Sequence, residues 1–286
     1  MSVLEAFSPG SIEDALELLA RYGSQSIRIL AGGTDLMVFL KEKKLAPRYL
    51  LNICTVKSLA GVREEGERLV IGPLLTHGEA HSHPLLLKHA PLLADCSSRV
   101  GSPQIRHKAT LGGNVCTGSP AGDSLPALAV LGARFTLSRK GGTRVVDFKE
   151  FFTGPQRTVC APDELLTEIS IEKMPEGQPW TFHRLGMRKA LSVTKVSLAA
   201  RAALKEGFLE DVRIALGSVA PTVVRASGAE QYLSGKAPSL QVREEAGRLI
   251  RKDCRPIDDV RSSGVYRNHV VGILLMRFLE AMDSGR

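Results

Sequence analysis

Two glycine pairs, roughly eighty residues apart, constrain this chain more than any other feature. The first stands in Leu30-Ala31-Gly32-Gly33-Thr34-Asp35-Leu36. The second stands in Ala109-Thr110-Leu111-Gly112-Gly113-Asn114, followed by Ser119-Pro120-Ala121-Gly122-Asp123. Glycine admits a left-handed backbone and leaves no Cβ between a ligand and the N–H groups. Successive exposed N–H groups form an anion-binding concavity. Two such concavities suit the two phosphates of a dinucleotide, held from opposite sides. One Gly-Gly alone is most often a turn; two, each flanked by threonine, are more specific.

Better-known phosphate loops do not fit. The Rossmann fingerprint needs a third glycine, G-x-G-x-x-G, between strand and helix, and the P-loop ends in Gly-Lys-Ser/Thr. Neither occurs here. The local patterns around the first pair read as helix, strand, glycine turn, helix. Ser11 can cap a helix over 11–22, with Glu13 and Asp14 in its first turn. Residues 27–30 read as a buried strand, 35–43 as a helix and 49–53 as a second strand. In the middle region, 69–71 is a strand, 84–94 one helix and 100–104 a loop. A further helix spans 126–131. Lys140-Gly141-Gly142 is a hairpin turn rather than a third concavity, because strand-like residues flank it. Met174 to Pro179 reads as a linker. Beyond it, 197–204 and 211–218 read as antiparallel strands, and 230–233, 241–252 and 269–282 as helices.

Both motifs resemble the FAD-binding signatures of the flavoprotein (medium) subunit of the xanthine dehydrogenase family, which includes carbon monoxide dehydrogenase and other molybdenum hydroxylases. Further similarity runs through Asn52-Ile53, Ile71 to His77, Asp147 to Gly154, Asp163 to Leu166, Gly217 to Pro221 and Pro256 to Arg261. It therefore covers nearly the whole chain. The resemblance implies an α+β fold of three small α/β-type domains. A non-Rossmann FAD-binding fold of the PCMH/VAO-like type would occupy 1–54 and 55–173. A C-terminal domain with an antiparallel sheet and helices, 180–286, would close over the flavin.

The cofactor-binding residues expected on this reading begin with Gly32, Gly33, Gly112 and Gly113, assigned to the pyrophosphate. Thr34 and Thr110 can donate hydroxyl hydrogen bonds to phosphate oxygens, although Thr34 can equally cap the following helix. Asp35 lines the site or serves as a first-turn carboxylate. Leu30, Ala31, Leu36 and Asn114 complete the motifs, and Val100 lies in the loop before the second. By resemblance, Asp123 contacts ribose or ribityl hydroxyls, the alternative being another helix cap. Likewise Leu166 borders the flavin, and Arg184 occupies a basic position that reaches it, the alternative being a surface arginine. Arg188 to Thr194 corresponds to a loop near the flavin ring. Xanthine-type relatives often carry aspartate there, whereas Ala190-Leu191-Ser192 has none, which leaves the electron acceptor open.

Composition narrows the partners. The five cysteines are scattered and odd in number, which suits reduced thiols in the cytoplasm. They offer no cluster or zinc spacing, so no metal ligand and no acid–base catalyst is assigned. No apolar run is long enough to cross a membrane, and the first residues lack a secretory signal's features. The net charge of +8 invites a nucleic-acid reading. The basic residues are dispersed, however, and aromatics are only 5% of the chain, so stacking platforms are scarce. His77, His81, His83 and His89 are expected in a solvated helix-entry segment.

The family resemblance then implies two partners, a molybdopterin-binding large subunit and a small subunit with two [2Fe-2S] clusters. Electrons would pass from those clusters through FAD to NAD⁺ or another acceptor, NAD(H) being one candidate ligand. Two rival classes are a self-contained flavoenzyme related to UDP-N-acetylenolpyruvoylglucosamine reductase and a non-catalytic basic binding module.

Overall fold

The computed structural model describes residues 5–188 and 192–283. Its three main sheets follow one another along the chain. The first is parallel, ordered Glu5–Phe7, Tyr49–Asn52, Ile27–Leu30. Ser11 caps the helix Ile12–Tyr22 by accepting the Asp14 N–H at 3.1 Å, as its sequence signals. Ala15 and Leu19 of that helix share a core with Ile27, Leu51 and Ile53.

A five-stranded antiparallel sheet follows, ordered Val62–Glu65, Arg68–Ile71, Leu165–Glu172, Arg134–Arg139, Gly142–Asp147. The turn at Lys140-Gly141 closes the expected hairpin, with Gly141 at φ +81°. Residues 84–94, expected as one helix, form two: Pro84–His89 and Pro91–Ser98. Pro91 lacks an N–H and pushes the preceding residue out of the helical region; Ala90 accordingly sits at φ −147°, ψ 50°. The helix Pro103–Arg106 likewise replaces part of the expected loop at 100–104.

The third sheet is antiparallel, ordered Trp180–Leu185, Val196–Lys205, Phe208–Gly217, Val224–Arg225. The helices Ser227–Leu233, Leu240–Leu249 and Gly264–Asp283 cover it. The two larger sheets are not independent: Phe182, Ala199, Ala215 and Val223 belong to the same apolar core as Leu128, Phe135 and Ile169. This is the mixed helix–strand architecture expected from the sequence. No helix among the described residues is long and apolar enough to cross a membrane.

Candidate cofactor site

The first glycine pair follows the strand Ile27–Leu30 directly and precedes the helix Leu36–Lys41. Gly33 turns the chain at φ +74°. The five successive backbone N–H groups from Gly32 to Leu36 donate to no protein oxygen among the described residues. Nor does the Thr34 hydroxyl. Unpaired N–H groups in series are what an anionic group would satisfy. Asp35 stands at the helix start but makes no side-chain cap bond. Instead its Oδ2 accepts from Thr117 Oγ1 at 2.8 Å, tying this loop to the helix of the second motif.

The second pair is built differently from the open concavity its sequence suggests. Gly112 and Gly113 lie in the first turn of the helix Leu111–Thr117, capped by Thr110. The Gly113 N–H donates to Thr110 Oγ1 at 3.0 Å and the Gly112 N–H to the Pro73 carbonyl at 2.9 Å. Those donors are already used. What remains for a ligand is the Thr110 hydroxyl proton and the side-chain-free surface at Gly113.

Each pair therefore divides its labour. A Cβ on Gly32 would fall 1.8 Å from the Lys108 carbonyl, and one on Gly112 would fall 2.4 Å from Pro73 Cβ. These two glycines let backbone pack on backbone. A Cβ on Gly113 would meet only Thr110 Oγ1, at 3.0 Å.

Between the motifs lies a cavity of about 560 Å³, within the range of cofactor sites. Ala31, Gly32, Gly33, Thr34, Asp35, Leu36, Val100, Thr110, Gly112, Gly113, Asn114 and Leu166 all line it. Its series of free N–H groups, hydroxyls and apolar walls suits a diphosphate joined to flat apolar rings. Three expected residues lie off its lining. Leu30 ends the strand, with its carbonyl accepting from the Ile53 N–H at 3.0 Å. Asp123 and Arg184 are paired with each other, Arg184 Nε lying 2.9 Å from Asp123 Oδ2, each side chain 8% exposed.

The pair is closed by a third residue. Thr194 Oγ1 donates to Asp123 Oδ1 at 2.6 Å and accepts from Arg184 Nε at 2.8 Å, and Arg184 also donates to the Ser192 carbonyl. Burial pushes the Asp123 carboxyl upward, and the Arg184 charge and the Thr194 bond oppose it. Asp123 makes no cap bond to the helix Ser124–Val130. A link toward the cavity runs through Ser124, whose Oγ donates to Asn114 Oδ1 at 2.7 Å. Of the flavin-side loop singled out in the sequence, Lys189, Ala190 and Leu191 lie outside the described residues.

Several cavity residues escaped the sequence reading. His77 is fully buried, not solvated as expected, and neither ring nitrogen has a partner. Its N–H bonds the Ala109 carbonyl at 2.9 Å, which draws it under the second motif. Burial, helped by Arg106, lowers its pKa to about 4, so the ring is neutral. His81, by contrast, is exposed. Thr117, Cys116, Cys160 and Phe39 also line the cavity. Gly113, Cys116 and Thr117 follow the i, i+3, i+4 spacing of one helix face, a signal that was available in the sequence. Burial pushes the Cys160 thiol up to about 12.

Comparison with known proteins accords with this geometry. The family described as "FAD binding domain in molybdopterin dehydrogenase" matches residues 2–173. "CO dehydrogenase flavoprotein C-terminal domain" matches residues 180–282. The carbon monoxide dehydrogenase medium chain of Hydrogenophaga pseudoflava is 31% identical, over 97% of this chain and 96% of its own length. A putative xanthine dehydrogenase FAD-binding subunit of Escherichia coli is 30% identical, over 91% and 89%. A solved structure of the Hydrogenophaga pseudoflava carbon monoxide dehydrogenase, lacking the Mo-pyranopterin moiety of its molybdenum cofactor, superposes with a TM-score of 0.93. That match has 30% identity and covers 97% of this chain and 96% of the other.

Proposed function

The chain belongs to the FAD-binding subunits of the molybdenum hydroxylase family, which includes the carbon monoxide and xanthine dehydrogenases, and on that premise we propose that it is the electron relay between iron–sulfur clusters and a terminal acceptor. FAD is its cofactor, and the family's members are subunits of FAD-dependent dehydrogenases. The observation that carries the site assignment is the run of unpaired N–H groups from Gly32 to Leu36 on the cavity wall.

When bound, FAD supplies the electron-transfer chemistry itself. The protein's share is position and electrostatics. Gly32 to Leu36 would donate to one side of the pyrophosphate, and Thr110 and the bare face of Gly113 would receive the other. Leu74, Ile105 and Leu166, which line the cavity, would give the rings apolar walls. Asp123 and Arg184, paired behind the cavity wall, would supply a carboxylate and a guanidinium on the side of the flavin's hydroxylated chain. No side chain has to move a proton in such a relay.

Residues 1–54 and 55–173 would enclose the cofactor, with 180–286 closing over it. The partners would be a molybdopterin-binding large subunit, where substrate is oxidised, and a small subunit with two [2Fe-2S] clusters. The acceptor would be NAD⁺ or another carrier, and the assembly would work in the cytoplasm. The test is direct. Purified chain should release FAD, not FMN, one per chain. Its flavin should be reduced by organic substrate only after both partner subunits are added. Native FMN, or substrate turnover by this chain alone, would refute the relay.

A further inference from the structure

Behind Asp123 the polar contacts continue into the C-terminal helix. The Thr194 carbonyl accepts from Ser218 Oγ at 3.0 Å. The Ser218 N–H donates to the Pro120 carbonyl at 2.8 Å, three residues before Asp123. The Ser218 carbonyl accepts from Arg267 Nη1 at 3.0 Å. Arg267, 2% exposed, extends Nη2 to Asp259 Oδ1 at 2.5 Å. Asp259 is held in turn by the Arg261 side chain and by the N–H groups of Arg261 and Ser262, at 2.9 and 3.2 Å.

Ser218 sits at φ +63°. A left-handed non-glycine residue costs about 1–3 kcal/mol and persists only where its surroundings over-determine it. Here they do. Arg267 holds its carbonyl, Pro120 its amide, and Thr194 its hydroxyl. The adjoining Gly217 is packed so closely that a Cβ would fall 2.4 Å from Ser197 Oγ. A buried guanidinium forked between Asp259 and a strained backbone carbonyl fixes a turn that in turn fixes two segments. One is the Pro120–Asp123 loop. The other is Thr194, which binds both Asp123 and Arg184.

We propose that Arg267 is a positioning residue for the flavin, acting through Ser218 and Thr194 to set the Asp123–Arg184 pair. The inference rests on the FAD reading above, and on the bond from Ser124, next to Asp123, to Asn114 on the cavity wall. Charge placed near a flavin tunes its electronics, so a shifted pair changes the cofactor's potential and spectrum and not merely its retention. Lysine is a poor substitute, because its single ammonium cannot fork between the Ser218 carbonyl and Asp259.

The full-length chain tests this with four variants: Arg267→Met, Arg267→Lys, Thr194→Val and Ser218→Gly. Four quantities are read on each: FAD affinity, visible absorption and circular dichroism of the bound flavin, its midpoint potential by dye equilibration, and the thermal midpoint. Arg267→Met should weaken FAD about tenfold, the scale of one lost charge-assisted bond, and shift both flavin spectrum and potential. Thr194→Val should reproduce the spectral and potential shifts. Arg267→Lys should recover only part of them. Ser218→Gly, which relieves the backbone strain but loses the hydroxyl, should move the flavin spectrum without lowering the thermal midpoint. A purely structural role would lower the thermal midpoint and leave spectrum and potential of the bound flavin unchanged; that result overturns the proposal. If Arg267→Met fails to fold, Thr194→Val decides the matter on the same readouts. A wild-type chain that binds no FAD would instead overturn the cofactor reading beneath.

Discussion

Substituting alanine at Gly112 and at Gly113, one residue apart, should have opposite effects. At Gly112 the new methyl lands 2.4 Å from Pro73 Cβ and 2.7 Å from the Pro73 carbonyl oxygen, so backbone must shift. Overpacking of that kind costs about 1–3 kcal/mol, partly offset by up to about 1 kcal/mol of helix propensity. The thermal midpoint should fall by roughly 2–6 °C for a chain of this size. At Gly113 the methyl meets only Thr110 Oγ1, at 3.0 Å, a tight contact with one side-chain atom that the propensity gain offsets, so the fold should stay close to its original stability. The same methyl, however, projects into the cavity that Gly113 lines. If it displaces one charge-assisted contact to the pyrophosphate, worth about 1.5–3 kcal/mol, FAD affinity drops roughly ten- to hundredfold. Scanning calorimetry of the flavin-free chain separates the stability arm from the binding arm, which flavin fluorescence titration reads. Equal loss of FAD in both variants at unchanged midpoints would refute the division of labour between packing glycine and ligand glycine.

Other consequences follow from buried charge and burial. His77 is held neutral, its pKa lowered to about 4 from 6.5; the unfolded chain takes up the proton first, so stability is complete above pH 6.5 and is lost as pH falls toward 4. The loss amounts to about 3 kcal/mol, and urea titrations from pH 7 to pH 4.5 should show a shallower decline in His77→Phe than in wild type. Asp123→Ala strands the Arg184 guanidinium at 8% exposure and should destabilise the chain by about 3–5 kcal/mol, whereas Asp123→Ala combined with Arg184→Met should recover much of that in the same melts. Thr117→Val removes the 2.8 Å bond to Asp35 and should weaken FAD severalfold with little change in melting; an unchanged affinity would mean that the first loop is fixed without that tie.

Much of the site was legible because its signals are local. The glycine turn, its following threonine and the strand before it are contiguous, and the structure forms the strand and the turn where the sequence puts them. The helix break at Ala90 is legible too, in Pro91, even though the apolar pattern runs on from either side of it. What could not be read were consequences of segments meeting from far apart. Nothing near Gly32 announces that the Lys108 carbonyl will fill the space beside it, and nothing near Gly112 names Pro73. His77 carries the polar surroundings of a helix start, yet the pairing of Thr76 with Thr110 pulls it beneath the second motif and buries it. Asp123 and Arg184 each read as residues facing a ligand, and each is first of all the other's partner. Their pairing shifts the question of how this chain holds its flavin. Affinity would reside mainly in the unpaired backbone donors of the first loop. Tuning, on the proposed role of Arg267, would reside in a side-chain pair tied to the C-terminal helix through Thr194 and Ser218. A subunit built this way would then be able to change the potential of its cofactor by substitutions in the C-terminal region, leaving the backbone donors of the first loop untouched.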